Sequence, residues 1–449
     1  MESLDTTILN TAVPVIASEL KVSALSMKSV LASYTLSLAV FIPISGWMAD
    51  RFGTRRVFAS AIAIFTLGSV LCGLTSNIHL LVFCRVLQGF GGAMMVPVGR
   101  LTLVRTFARS ELVRAMSFVA IPALIGPMLG PLVGGLIVGY LQWRVIFFVN
   151  LPIGLAGLVL VYTHLPDFRG ETRTPLDFEG LVLFGSGVAL LSYVLEIFGE
   201  HTLNTLEVGG LLAISFALIC GYWVHAKHVA FPLLSLDLFG IRTFATAVNG
   251  SFFTRLGIGG VPFLLPLLYQ LGLGHTPIQS GLLIMPQPIG AMSTKFLTPV
   301  VLERFGYRKV LTANTFILGL LLMLFAAIGP QTPIWLIVVL AYFYGAFTSL
   351  QYTSMNTLVY ADVPNARASN ASSIASTMQQ MSISFGVAIA GLTTTFFVAN
   401  RAGATQIIAG LHQAFVALGV FTLASSAIFF RLKAADGRDV SHQKEPHLG

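Results

Sequence analysis

Apolar runs follow one another along the whole chain, at 4–20, 30–48, 57–75, 79–103, 115–138, 144–165, 179–198, 207–225, 243–269, 277–298, 309–328, 333–354, 373–398 and 410–431. A helix rises 1.5 Å per residue, so about 20 apolar residues cross the hydrocarbon layer of a bilayer. The pattern predicts an all-α polytopic membrane protein with fourteen transmembrane helices. The connections between runs are short, which leaves little chain for a soluble domain.

Composition agrees with a lipid solvent: 55% of the 449 residues are hydrophobic and 10% are charged, against about a quarter charged in soluble domains. The net charge of +8 would suit nucleic acid if it were concentrated in one patch, but it alternates by loop. Roughly 18 of the 26 Lys and Arg fall in connections 2–3, 4–5, 6–7, 8–9, 10–11 and 12–13 and in the C-terminal tail, and about four in the opposite set. Cytoplasmic loops carry the basic excess, so both termini are expected in the cytoplasm, with the bilayer as partner and no nucleic acid. Cys72, Cys84 and Cys220 lie inside apolar runs without paired spacing and read as small buried hydrophobes. The first run, with only about 17 residues before Glu19 and Lys21, is short for a span, and the natural start is expected upstream of Met1.

An internal repeat organises the chain. Gly46-Trp-Met-Ala-Asp50-Arg51-Phe-Gly53-Thr-Arg55-Arg56 is echoed by Pro299-Val-Val-Leu-Glu303-Arg304-Phe-Gly306-Tyr-Arg308-Lys309. Both copies follow an apolar run on the same side, as parallel repeats in transporters do. They are eight runs apart rather than six, so two helices are inserted. The expected domains are an N-terminal six-helix bundle (1–165), a linker and two-helix insert (166–238), a C-terminal six-helix bundle (239–432) and a cytoplasmic tail (433–449).

In the first repeat, Gly46 permits close helix approach, Gly53 a tight turn, and Asp50 with Arg51, Arg55 and Arg56 a compact charge cluster. Such a carboxylate can face a helix N-terminus or an Arg in one transport state and release it in another. The second copy, with Pro299 and Glu303 in place of Gly and Asp, is expected to be the weaker latch. Span 5 carries Gly126, Pro127, Gly130, Pro131, Gly134 and Gly135. Its small residues recur every four positions on one helix face, which suits close packing, while the prolines favour bending.

Ionised groups within a span are expensive and face a bundle interior or a wet cavity. The deep ones are Asp5, Arg85 and Arg255; Asn10, Gln88, Asn249 and Gln270 share their character and complete a candidate cavity. Asp5 and Arg85 can form a coupled pair in which the carboxylate takes up and releases a proton, or a static salt bridge. Arg100, Lys295 and Glu196 fall nearer helix ends, where snorkelling explains them. Two deep cations against one deep anion lean toward anionic or neutral cargo. No phosphate-binding loop, zinc-protease motif or nucleophile elbow stands in a credible context, so no enzyme, metal or cofactor is expected.

Gly46–Arg56 resembles the signature loop of the major facilitator superfamily, and Arg85–Ala93 resembles its span-4 motif. The Gly126–Gly135 run is similar to the span-5 antiporter motif of drug exporters. The stretches Leu4–Pro14 and Trp143–Gly154 resemble patterns of the fourteen-span drug:proton antiporter branch. The resemblance implies the major facilitator fold, proton-coupled efflux of small molecules by alternating access in a bacterial inner membrane, and coupling roles for Asp5 and Arg85. Members often work with a periplasmic adaptor and an outer-membrane channel, which nothing in these residues demands. Two other readings remain: export of a physiological metabolite such as a carboxylate or its metal chelate, and a membrane sensor or scaffold without flux.

Overall fold

A computed structural model describes residues 1–21, 28–170, 175–197, 205–398 and 404–441. Every regular element in these residues is helical. We number the helices α1 (Glu2–Glu19), α2 (Lys28–Phe41, continued by Ile42–Ile44 and Ser45–Phe52), α3 (Thr54–Leu74), α4 (Ile78–Thr106), α5 (Leu112–Tyr140) and α6 (Val145–Phe148 with Asn150–His164). The pair α7 (Phe178–Ile197) and α8 (Thr205–His228) follows, and then α9 (Arg242–Ile258 and Val261–Leu267, ending in the π-turn Leu268–Gly272). The segments Pro277–Ile284 and Pro286–Phe325 form α10 and α11, joined at a kink at Gly306; α12 is Ile334–Leu358, α13 Ala368–Val398 and α14 Ala404–Ser425 with Ser426–Arg431. A helix stands over each of the fourteen apolar runs. Among the described residues, nine helices are long and apolar enough to cross a membrane.

The connections expected between spans 2 and 3 and between spans 10 and 11 turn out to be helical almost throughout. Gly53 (φ 96°) and Gly306 (φ 71°) are the breaks. Only a residue without a Cβ adopts such angles readily, so each copy of the repeat reduces its loop to a glycine. Apolar breaks elsewhere have local causes: Pro43 lies in the 3-10 turn of α2, and Gly259 and Gly260 interrupt α9.

The inserted pair packs on itself, and α7 also lies against α2 and α13. Asp177 ties it down at the end of the molecule that carries the basic loops: its carboxylate accepts from the backbone N–H of Gly180 (2.8 Å) and Leu233 (3.0 Å) and pairs with His225 (2.8 Å). Leu233 belongs to the connection leading into α9, so the insert is fastened to the second bundle.

The described part of the expected tail is packed against the helices. Leu432 and Val440 are buried, and a short helix, Arg438–Ser441, packs between α5 and the α10–α11 rod. Asp436 anchors it by accepting from Arg242 Nε (3.0 Å) and Nη2 (2.6 Å). Cys72 and Cys84 are buried as expected, whereas Cys220 is exposed on the outer face of α8.

Candidate functional site

The first site lies inside the N-terminal bundle. Asp5 on α1 and Arg85 on α4 are 1% and 0% exposed and form an ion pair of 2.6 Å. The Asp5 carboxylate also accepts from Gln88 Nε2 (3.0 Å) and from Asn150 Nδ2 on α6 (2.7 Å). Arg85 donates further to Gln88 Oε1 (2.7 Å) and to the Val30 carbonyl on α2 (3.4 Å), with its guanidinium 4.3 Å from the centre of the Tyr34 ring. Asn150 is oriented by Ser69 on α3 (2.9 Å), which in turn donates to the Phe147 carbonyl (2.8 Å). Three helices therefore meet on one carboxylate, and α2 and α3 join the network through Arg85 and Asn150. Taking both charges out of water costs several kcal/mol per ion, recovered only when geometry and extra hydrogen bonds are good.

The glycines of α5 explain why α1 sits where it does. A Cβ at Gly130 would lie 1.9 Å from Thr7 Oγ1, and one at Gly126 would lie 3.1 Å from the Leu4 nitrogen. Gly134 is buried as well. The small face of α5 is thus the bed of α1, one turn from Asp5. The side chains of Asn10, Pro127 and Pro131, and Gly135 with them, lie outside the described residues.

A second polar group belongs to the C-terminal bundle. Arg255 on α9 is 2% exposed, with its guanidinium 3.6 Å from the centre of the Tyr352 ring and its Nε bonded to Ser251 (2.9 Å). Lys295, expected to snorkel, is 7% exposed and donates to Thr353 on α12. Helix α10 carries its stem inward rather than along the surface. Arg100, also expected to snorkel, crosses from α4 to Gln379 (3.2 Å) and Ser376 (3.5 Å) on α13. Among the described residues no carboxylate pairs with any of these three cations. Asn249 is half-buried on α9, and Gln270 falls in the π-turn that ends it. The structure does not bring Arg255, Asn249 or Gln270 into hydrogen-bond contact with Asp5, so the expected single cavity divides into two polar groups.

The halves are fastened at the basic-loop end. Asp50 pairs with Arg105 of α4 (2.8 Å) and bonds Ser369 at the N-terminus of α13. The expected compact cluster of Asp50 with Arg51, Arg55 and Arg56 is absent: Arg51 and Arg56 point to solvent, and the Arg55 backbone N–H is held by Asp167 (3.1 Å). Gly46 N–H donates to Ser373 Oγ (2.8 Å), and a Cβ there would come within 2.7 Å of the Ser369 carbonyl. Ser372 bonds the Pro97 carbonyl (2.8 Å), and Arg109 donates to the carbonyls of Ala361 and Val363 (2.8 Å to the latter). In the second copy Glu303, Arg304 and Arg308 are exposed, without an ion pair among the described residues. The serines of α13 and the Arg105 partner carry no local pattern that marks them; Asn150 lies in the Trp143–Gly154 stretch, but the sequence does not single it out as a partner of Asp5.

Packed apolar helices of membrane-spanning length, with a buried ion pair and with buried cations that pair with no carboxylate among the described residues, are the layout of a polytopic membrane transporter. The chain belongs to the Major Facilitator Superfamily, whose profile matches residues 1–387 and, separately, 247–448. It is 39% identical to "Putative multidrug resistance protein MdtD" of Serratia proteamaculans, over 100% of this chain and 94% of that protein. The protein of the same name from Cronobacter sakazakii is 43% identical over 90% of this chain and 86% of its own. The fold also matches the proton:xylose symporter XylE (TM-score 0.65, 17% identity, 98% and 94% of the two chains). A similar match is the human organic anion transporter MFSD10 (TM-score 0.66, 13% identity, 95% and 96%).

Proposed function

We propose that this transporter is a proton-coupled exporter of small molecules in the bacterial inner membrane. In this reading it crosses the bilayer fourteen times, as six, two and six helices, with both termini in the cytoplasm. The observation that carries the proposal is the Asp5 network, one carboxylate holding α1 to α4 and α6 through Arg85, Gln88 and Asn150. A proton arriving on Asp5 breaks the charge balance that holds these helices, which links protonation to helix movement. With the basic loops in the cytoplasm, the fastening of Asp50 and Gly46 to α13 closes the cytoplasmic side. Protons then enter from outside, and their release inside accompanies reopening for cargo. The serine-rich start of α13 and the Asp50–Arg105 pair act as the latch that opens in that step.

For the cargo class, Arg255, Lys295 and Arg100 favour anions: the first two are buried, the third is half-buried between α4 and α13, and none has a carboxylate paired to it among the described residues. An anionic cargo would supply the missing counter-charge. Proton movement in everted membrane vesicles, energised by respiration and challenged with lipophilic cations, neutral drugs and organic anions, tests both readings. Cargo-triggered collapse of the pH gradient that is lost in Asp5→Asn supports antiport. Competition by organic anions but not lipophilic cations supports the anionic cargo. Silence across the panel favours a sensor or scaffold without flux.

A further inference from the structure

A second basic site lies apart from the transport path, on the outer flank of the C-terminal bundle at the basic-loop end. A cleft of about 740 Å³ opens there between α11 and α14. Arg304, Arg308 and Lys309 from the α10–α11 kink line one side and Arg438 from the C-terminal segment the other, with no carboxylate among the described lining residues. Of the nearby acids, Asp436 is held by Arg242, Glu303 lines a different cleft beside Pro299 and Val440, and Asp439, next to Arg438, is exposed and does not line the cleft. Two buried polar atoms of the lining residues, Thr312 Oγ1 and Arg438 Nε, have no hydrogen-bond partner among the described residues. Leaving such groups unsatisfied is costly. Above the cations the cleft turns apolar, with Phe316 and Phe430 51% and 59% exposed. Phe316 stands roughly 10 Å along the helix from Lys309 at 1.5 Å per residue, about the step from headgroup to acyl chain.

We propose that this cleft binds the headgroup of an anionic phospholipid of the cytoplasmic leaflet. Its phosphate meets the four cations and the two orphan donors, and its chains lie against Phe316 and Phe430. Orientation of the chain by its basic loops accounts for cations in this stretch. It does not account for two separate segments converging on one cleft, or for polar atoms buried there without partners among the described residues. Basic pockets between helices at the membrane surface suit this chemistry. Because Arg438 lies on the segment that also packs against α5, lipid held here would bridge the tail to the second bundle.

The test is native mass spectrometry and thermal unfolding of the delipidated full chain with phosphatidylglycerol, phosphatidylcholine or inorganic phosphate. The comparison is between wild type, Arg304→Gln with Arg308→Gln, and Arg438→Gln alone. The last change lies outside the bundle helices and keeps the test decisive where the double variant fails to fold. A control, Arg169→Gln with Lys227→Gln, removes the same charge elsewhere. Phosphatidylglycerol is expected to be retained and to raise the unfolding temperature in wild type and control, with apparent affinity falling roughly tenfold or more in the pocket variants. Equal retention of phosphatidylcholine, equal stabilisation by inorganic phosphate, or unchanged phosphatidylglycerol binding in both pocket variants would overturn the proposal.

Discussion

Among single residues, Asp5 has the most at stake, as the buried carboxylate that joins α1 to α4 and α6. Replacing one partner of a buried, hydrogen-bonded ion pair leaves the other charge uncompensated, which costs about 3–5 kcal/mol. Asp5→Asn and Arg85→Gln are each expected to lower thermal stability by that order. The double variant should lose less than the sum, as a double-mutant cycle of thermal or denaturant unfolding would read. Lys295→Gln makes the opposite kind of prediction. It removes a cation with no carboxylate partner among the described residues, so inhibition by organic anions should weaken about tenfold while stability holds or rises, checked by concentration dependence in vesicles beside unfolding curves. Asp5 and Arg85 were legible in the sequence because charges inside apolar runs stand out. Lys295 and Arg100 were misread, since distance from a helix end does not say whether a side chain faces lipid or a neighbouring helix. Tyr34 and Ser69 were invisible, because a hydroxyl among apolar residues carries no mark of what it will face.

The helices make predictions of their own through close approach. Gly130→Val forces atoms into the space of Thr7, where even a Cβ would be 1.9 Å from its Oγ1. Overpacking of this kind costs about 1–3 kcal/mol, and here it displaces the helix that carries Asp5. Proton coupling should fall further than the stability loss alone explains, measured as pH-gradient collapse per amount of folded protein. The C-terminal segment responds to pH. Burial would push the Asp436 carboxyl up, but the Arg242 guanidinium and the Lys433 N–H hold it below the usual carboxylate range. A carboxyl depressed in the folded state stabilises above its unfolded value, about 3.9, and loses that contribution as pH falls through its folded value. Asp436→Asn should therefore unfold at a lower temperature than wild type at pH 7, with the gap closing below about pH 4. The glycine spacing on α5 was readable as a packing face, while its partner α1 was not, because helix-to-helix pairing depends on contacts far apart in sequence. The packing of 433–441 was not readable, because only Val440 betrays its burial.

Across the whole molecule the repeat was the most legible feature, since Asp50-Arg51-Phe-Gly53 and Glu303-Arg304-Phe-Gly306 are matched in register. Their different fates were not legible: Asp50 reaches α13, and Glu303 stays exposed. The fastening of one half to the other depends on serines 369, 372 and 373, small residues with no sequence signature. Gly46→Val should separate α2 from α13 and open the basic-loop end, so that a cysteine placed at the buried Ser372 is alkylated several-fold faster from that side than in the parent. The central claim is that a proton on Asp5 drives cargo across the membrane, and reconstituted proteoliposomes test it most directly. Wild type and Asp5→Asn are compared for uphill cargo accumulation under an imposed pH gradient and for cargo exchange without one. Asp5→Asn is expected to retain exchange and lose uphill accumulation; accumulation by Asp5→Asn at the wild-type level would rule out coupling through Asp5.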